Sequence, residues 1–412
     1  MAGSAPLRAC CVVVAMLTAC GGGDAALPGP ALEPAAELTI VARPADDLVF
    51  LHPALADAVQ RGAGLTNVYV TAGAGDLAAL ERRIAGLEAA YAALAGNDAW
   101  ACGDLVVGDQ HVWHCRLAAA KLSLIFLGYP DGGADGSAPT SLLNLWQGQT
   151  DAAGVPSLLA AAQRYDQPRL IGVVTKLIDA TAPTTLRTLE IAATHGRDAS
   201  DHMLVGALAV LATAASTQAP VITAWRGDNI ADAAVNVDPA VSDRAADSLA
   251  RYQACATGCA ACGTTCTRDQ LDADQLAELQ RSYPIAMHAG AGLLRDETGG
   301  CVTVTVAGAN AAVVDCAAAP TWQLDTRGQL RASSDLCLRA LFTGEIVATP
   351  CANDGVGGRF FLDDDGHVWS GLVPAPQDDM AFAHLDCLIN AGGRPRVALC
   401  GASRAPTWQL AP

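Results

Sequence analysis

The side chains that could do chemistry come in short clusters separated by long apolar stretches. Asp46 and Asp47 end one such stretch in Val41-Ala42-Arg43-Pro44-Ala45-Asp46-Asp47-Leu48, and Asp198, Asp201 and His202 open another in Asp198-Ala199-Ser200-Asp201-His202. Carboxylates and imidazoles are the donors of metal ligation and of general acid–base work. Arg43 is neither: a guanidinium has no acceptor, stays protonated, and opposes a dication close by. One aspartate with one histidine holds zinc only weakly. Further clusters are Val70-Thr71-Ala72-Gly73, a helix carrying Arg83 and Glu88-Ala89-Ala90-Tyr91, then Phe126-Leu127-Gly128-Tyr129-Pro130-Asp131-Gly132 and Trp225-Arg226-Gly227-Asp228-Asn229. Cys255, Cys259, Cys262 and Cys266 are close enough in sequence to bind zinc as thiolates, and two disulfides are the expectation in an exported chain. Gly73-x-Gly75-x-x-Ala78 imitates a dinucleotide fingerprint, but it follows the second strand and would set Asp76 against phosphate. His52 and His195 read as loop histidines. The alternative is that they rebuild a displaced metal site with Asp46, Asp47, Asp198 and His202.

The elements that must position these clusters alternate. From 38 to about 225, apolar runs and amphipathic helices predict an α/β domain with a mainly parallel sheet. Strands are expected at 38–42, 66–72, 122–127, 185–191 and 220–224, and helices at 53–62, 77–95, 167–181 and 201–215. Residues 226–290 continue this domain with helices near 240–253 and 268–281 around the cysteine cluster. From about 290 the texture changes to short strands and turns, and a repeat appears. Cys301…Cys316…Pro320-Thr321-Trp322 recurs as Cys337…Cys351…Gly358-Arg359-Phe360 and as Cys387…Cys400…Pro406-Thr407-Trp408. Two copies run on into turns, Asp325-Thr326-Arg327-Gly328 and Asp363-Asp364-Asp365-Gly366.

Composition bounds the rest. The 412 residues suffice for two domains, and 51% hydrophobic with 16% charged residues excludes a largely disordered chain. Formal net charge is −17, Lys121 and Lys176 are the two lysines among 25 basic residues, and no basic run exists, so no nucleic-acid partner is expected. Met1 to Ala19 carry Arg8 and then a short apolar stretch that fits the core of a secretory signal and is too short to span a bilayer. That stretch ends in Leu17-Thr18-Ala19-Cys20, which resembles a bacterial lipobox. The resemblance implies lipidation of Cys20, a membrane anchor, a flexible tether over 20–37 and, with Gly21 in place of aspartate, an outer membrane. Of 15 cysteines, 12 remain once Cys10, Cys11 and Cys20 are set aside, an even number that suits an oxidising compartment. Their spacing suggests Cys102–Cys115, Cys301–Cys316, Cys337–Cys351 and Cys387–Cys400.

Taken in order over 38–290, the clusters resemble the PIG-L (LmbE-like) family of zinc-dependent de-N-acetylases, which implies a Rossmann-like fold. In that family A-H-P-D-D-[DE] supplies a zinc-binding histidine, an aspartate base and an aspartate ligand, and H-x-D-H supplies the third ligand from its last histidine. Zinc activates a water and polarises the acetamide, and the base takes the water's proton. Carried onto this chain, Asp46 and His202 match the two later ligands, Asp201 matches the motif aspartate, and Arg83 matches an arginine facing the site. Arg43 stands for the first histidine, Ala45 for the base and Ala199 for the first histidine of the second motif. The residues predict a crippled site in which Arg43 pairs with Asp46 or Asp47 and a guanidinium replaces the metal.

Residues 291–412 resemble a ricin-type β-trefoil, whose repeats each carry a cysteine pair and a Q-x-W core motif. Here Pro320, Gly358 and Pro406 replace the glutamine, and Thr303, Arg339 and Ile389 replace the aspartate of galactose-binding repeats. Trp322, Phe360 and Trp408 are therefore expected in the core. The combined expectation is an exported, lipid-anchored protein of the cell envelope, catalytically impaired, that binds a glycan or N-acetylated sugar polymer. Two alternatives stand beside it: an active zinc N-acetylglucosaminyl de-N-acetylase with a displaced site, and a structural or partner-binding envelope protein.

Overall fold

The computed structural model describes residues 28–411 apart from 161, 192–194, 196–197, 333–334, 342, 352–355, 372–385 and 400–405. The signal, Cys20 and the Cys387–Cys400 pairing therefore fall outside the described residues. The strands of the first part are β1 (Glu37–Val41), β2 (Leu65–Thr71), β3 (Ala101–Val107), β4 (Gln110–Leu117), β5 (Leu122–Tyr129), the short β6 (Val155–Pro156) and β7 (Arg164–Tyr165), β8 (Thr185–Leu189), β9 (Val221–Trp225) and β10 (Pro284–His288). Its helices are α1 (Asp46–Phe50), α2 (His52–Arg61), α3 (Leu77–Ala95), α4 (Leu142–Trp146), α5 (Gln167–Thr181), α6 (Ser200–Ala215), α7 (Pro239–Ala256) and α8 (Ala273–Glu278).

Every residue of β1, β2 and β5 is buried, as continuous apolar runs between helical layers should be. The parallel strands lie in the order β9-β8-β1-β2-β5, so the chain winds outward from β1 in both directions. The helices pack in pairs, α3 on α7 and α5 on α6. The direction reverses between β1 and β8, paired at Glu37↔Thr185, and the crevice beyond their carboxyl ends is where a doubly wound sheet places its ligand.

The long helices start where the sequence provides caps. Asp76, Asp166 and Asp238 accept amide hydrogens at the starts of α3, α5 and α7, and Gly96 ends α3 at φ 63°. The 268–281 helix is shorter than expected. Asp272 accepts the amides of Asp274 and Gln275, so α8 starts only there, after a single 3-10 turn at Arg268–Gln270. The β3–β4 hairpin was not anticipated; it pairs Cys102 with Cys115 directly across the two strands.

The second part has β11 (Gly290–Asp296), β12 (Cys301–Thr303), β13 (Ala312–Val314), β14 (Trp322–Leu324), β15 (Leu330–Ala332), β16 (Leu336–Ala340), β17 (Ile346–Pro350), β18 (Phe360–Asp363), β19 (Val368–Ser370), β20 (Asp386–Asn390), β21 (Pro395–Leu399) and β22 (Trp408–Ala411). Eight of these form a separate antiparallel sheet, β13-β12-β11-β14-β15-β16-β17 with β22 beside β11. The other four extend the first sheet to twelve strands, because β18 pairs with β10 at Met287↔Asp363. Trp322, Phe360 and Trp408 sit in a core of their own with Leu294, Val302 and Leu388.

Two devices repeat along this part. Asp296, Asp325 and Asp363 each accept the amides two and four residues on, at 3.0 and 2.8 Å every time. The indoles of Trp322 and Trp408 donate to the carbonyls of Val302 and Leu388, 2.9 and 2.7 Å away.

Cysteines pair as Cys102–Cys115, Cys255–Cys262, Cys259–Cys266, Cys301–Cys316 and Cys337–Cys351. The four-cysteine cluster is thus two disulfides. Among the described residues no helix is long and apolar enough to cross a membrane.

Candidate functional site

The widely spaced clusters converge at the carboxyl edge of the sheet. Asp46 opens α1 just past β1, Asp131 follows β5, Asp198 and His202 flank the start of α6, and Asp228 follows β9. His202 is fully buried, with Nδ1 at 2.8 Å from Asp198 Oδ1 and Nε2 at 3.4 Å from Asp46 Oδ2. Asp198 Oδ1 also accepts the amides of Ala199 and Asp228, at 2.7 and 3.0 Å. Burial alone would disfavour the imidazolium, but Asp198 and then Asp46 outweigh it and hold His202 well above its ordinary range. Asp46 is correspondingly held low: His202 and Arg43 overcome the cost of its burial.

Gly227 lets the strand end lie against this group. A Cβ there would meet Asp198 Oδ2 at 2.4 Å and His202 Nδ1 at 2.7 Å. Asp201 points elsewhere, accepting the Gly132 amide at 2.9 Å, and burial first, then Asp131, pushes it to about 7.

Arg43 pairs with neither Asp46 nor Asp47, contrary to the expectation. Its Nε lies 3.2 Å from Asp131 Oδ2, and it reaches Asp46 by its backbone amide, 2.6 Å from Oδ2. The tight turn into α1 explains this, because it folds Asp46 back onto the chain and leaves the guanidinium free to swing to the loop after β5. Asp47 is fully buried on the other side of α1, where Tyr69, Tyr91 and Asn67 donate to its Oδ2 at 2.6, 2.6 and 3.1 Å. Burial pushes Asp47 to about 6.

Ala45 stands at φ 85° as the residue before α1, a left-handed conformation that a non-glycine residue adopts at a cost. Arg83 reaches the cleft but donates to the carbonyls of Ala72 and Ala74, at 3.1 and 2.5 Å, and so ties down the β2–α3 loop.

The two spare histidines do not rebuild the site. His52 donates from Nδ1 to Val49 O at 3.0 Å and lines a separate cavity of about 160 Å³ with Asp57 and Arg244. His195 bridges the two parts of the chain, with Nδ1 at 2.7 Å from Glu190 and Nε2 at 2.8 Å from Asp365. Asp76 caps α3, and Gly73 and Gly75 before it stand at positive φ, 69° and 113°, in the turn that leads to that cap.

A cleft of about 690 Å³ opens over this edge. Arg43, Ala45, Asp46, Gly73 and Arg83 form one wall, and Asp228, Tyr252, Gln253, Gln275 and Glu278 the other. Apart from Asp228, which the cluster after β9 supplies, sequence reasoning missed the second wall. It comes from α7 and α8, two hundred positions after Asp46, and only packing of α1 against both helices brings them together.

Three groups among the described residues could hold a metal ion: Glu88 with Cys102 and Cys115, Asp198 with His202 and Asp228, and Asp363 with Asp365 and His367. The first has both sulfurs in a disulfide, and in the third Asp363 is spent on two amides. At the cleft, the 3.4 Å between Asp46 Oδ2 and His202 Nε2 is about the separation of two ligands on one tetrahedral zinc. Among the described residues His202 Nε2 makes no hydrogen bond and faces Asp46 at 3.4 Å, and Asp198 orients the ring as an outer carboxylate does for a metal-binding histidine. On the Nε2 side the donors are Asp46 and His202 with Arg43 beside them, since Asp228, the remaining carboxylate of that group, lies 4.0 Å from Nδ1. Two ligands and a guanidinium do not fit a three-ligand catalytic zinc.

The chain matches no protein-family model and no curated protein. Among solved structures it is similar to GalB, the 4-carboxy-2-hydroxymuconate hydratase from Pseudomonas putida KT2440, over 60% of this chain and 83% of that one. Identity is 14% and the TM-score 0.34, a likeness that carries no functional argument.

Proposed function

We propose that this chain is a PIG-L-like, Rossmann-type domain that has lost metal-dependent hydrolysis and uses its cleft to bind a polyhydroxylated sugar ligand. The observation that carries the reading is the Arg43–Asp131 ion pair, which fills the place of a metal ligand while Asp46, His202 and Asp198 keep their mutual arrangement. The cleft itself suits a sugar better than an apolar ligand, since hydrogen-bonding side chains such as Gln253, Thr257 and Gln275 line it. We read residues 291–412 as a ricin-type β-trefoil. Support comes from twelve strands among the described residues, from the threefold Asp turn and from the matched indole hydrogen bonds. Lipidation at Cys20 and residence on the envelope complete the proposal.

The test is metal content by elemental mass spectrometry on exported protein, with acetate release from an N-acetylglucosamine trimer and saturation-transfer NMR on the same sample. The expected result is no stoichiometric zinc, no acetate and a positive transfer signal from the sugar. About one zinc per chain that disappears with His202→Ala, together with acetate release, would overturn the reading and install the hydrolase in its place. A folded, metal-free protein with no transfer signal would leave the envelope-structural alternative.

A further inference from the structure

The Cys102–Cys115 disulfide differs from the other described disulfides in what faces its sulfurs. Its cysteines stand directly opposite each other on β3 and β4, and β3 is the edge strand of the twelve-stranded sheet. Cys102 is half-buried and Cys115 fully buried. The half-buried Glu88 of α3 brings Oε1 to 3.0 Å from Cys102 Sγ and 3.1 Å from Cys115 Sγ. A disulfide sulfur has no hydrogen to donate, so this contact is favourable only when the carboxyl is protonated and its O–H points at sulfur. Burial alone raises Glu88 to about 7, which keeps that proton in place up to neutral pH. Trp100, two residues before Cys102, donates from its indole to Glu88 O at 3.1 Å and so ties the helix to the strand. Elsewhere the sulfurs meet backbone: Cys316 lies 3.2 Å from Gly299 O and Cys351 3.2 Å from Asp335 O, and a carbonyl has no proton to give. Among the described residues no other disulfide has a carboxylate oxygen within 4.8 Å of both its sulfurs.

We propose that Cys102–Cys115 is a thiol–disulfide exchange site with Glu88 as its proton donor, and that its substrate is a dithiol reaching the edge of β3. One thiolate of the dithiol attacks Cys102 Sγ, the more accessible sulfur; the Cys102–Cys115 bond breaks and its electron pair goes to Cys115. A thiolate left there would be an unpaired anion in the core, and the Glu88 proton turns it into a thiol as it leaves. The second thiolate of the dithiol then attacks the dithiol's own sulfur in the mixed disulfide, closes the substrate's disulfide and expels Cys102, which takes a proton from water. The dithiol is oxidised by two electrons and the cysteine pair reduced by the same two. The two protons that the dithiol released replace those gained by the cysteines, and Glu88 regains its own from solvent.

The experiment treats the full exported chain with dithiothreitol from about pH 5 to about pH 8.5, traps free thiols with a maleimide, and reads each cysteine pair by peptide mass spectrometry. Cys301–Cys316 is the internal control, since it also joins a fully buried to a half-buried cysteine but faces no acid. Cys102–Cys115 is expected to open at least about tenfold faster than this control at neutral pH. Its rate should climb with the reductant's thiolate up to about pH 7 and then level off, because each further gain in thiolate is matched by a loss of Glu88 proton. Glu88→Gln is close in size and cannot give up a proton. It should slow the opening about tenfold and let the rate go on climbing past pH 7, with the control pair unchanged. Circular dichroism checks that the variant folds, and if it does not, the pH profile of the unaltered chain decides alone. Opening no faster than the control would overturn the inference. So would a rate that climbs through pH 7 without a break, or a folded Glu88→Gln protein with an unchanged profile.

Discussion

Asp296 and Asp46 are both buried carboxylates at the end of a strand, one in each part of the chain, and they are treated in opposite ways. Asp296 is saturated: Oδ1 takes the Thr298 hydroxyl and amide and the Gly300 amide, and Oδ2 takes Asn390 at 2.5 Å. Those donors outweigh burial and hold it below the usual carboxylate range. Asp46 receives one amide and is held low mainly by the charges of His202 and Arg43, while burial first raises its neighbours Asp201 and Glu278 to about 7 and about 8. Hydrogen-bond donors offset burial in the one case and neighbouring cations in the other. The second part spends its buried acid on a turn, and the cleft balances its own against charge.

The largest effect that would sharpen this contrast comes from crowding the cleft group. Gly227→Ala pushes a methyl group into Asp198 and His202, and because both are fully buried neither can yield cheaply. A loss of about 3 kcal/mol is expected in denaturant unfolding. A loss below about 0.5 kcal/mol would mean that the Asp198–His202 pair is soft. Asp363→Ala should come next. It strips the acceptor from the Asp365 and His367 amides and should cost about 2 kcal/mol, whereas Asp46→Asn, which keeps an acceptor for Arg43, should cost under about 1 kcal/mol. Equal losses for the two would break the comparison.

A pH series tests that balance directly. Asp47 and Asp201 have folded values of about 6 and about 7, above the unfolded value near 4, so the folded chain binds more protons than the unfolded chain between those limits. Their contribution is complete below about pH 4 and is lost as pH rises through 6 to 7, so stability from this source falls toward neutral pH. Asp201→Asn stays neutral and can still accept the Gly132 amide. It should flatten the slope between pH 5 and pH 8 by about 2.5 kcal/mol, read as the change in unfolding free energy across the series. An unchanged slope would show that Asp201 is ionised at pH 5 in the folded protein.

Much of the framework is readable without coordinates. The caps Asp76, Asp166 and Asp238 and the apolar runs of β1, β2 and β5 are local signals, and α3 and α5 fall where periodicity places them. The site is readable only as far as its strand ends. Asp46, His202 and Asp131 lie in clusters next to elements with strong local signals, but Glu278 and Gln275 sit on a six-residue helix with no such signal and join the cleft through packing alone. The Arg43 partner shows the same limit. Charge complementarity suggested the nearest aspartates in sequence, and the geometry of the turn into α1 chose Asp131 instead.

That turn carries the smallest of these effects and the one most specific to this chain. At φ 85°, Ala45 pays a steric cost that glycine does not, of about 1 kcal/mol, and it does so at the residue whose amide plane sets where Asp46 begins α1. Ala45→Gly removes the strain and also widens the unfolded ensemble, so a net gain of about 0.5 kcal/mol is expected. The same variant should leave ligand affinity in the cleft unchanged if the turn is held by the Asp46–Arg43 amide bond and by Tyr252 donating to Pro44 O at 3.1 Å. If instead the variant is more stable and binds less, the strained alanine is what aims Asp46, and the αL turn belongs to the binding site rather than to the scaffold.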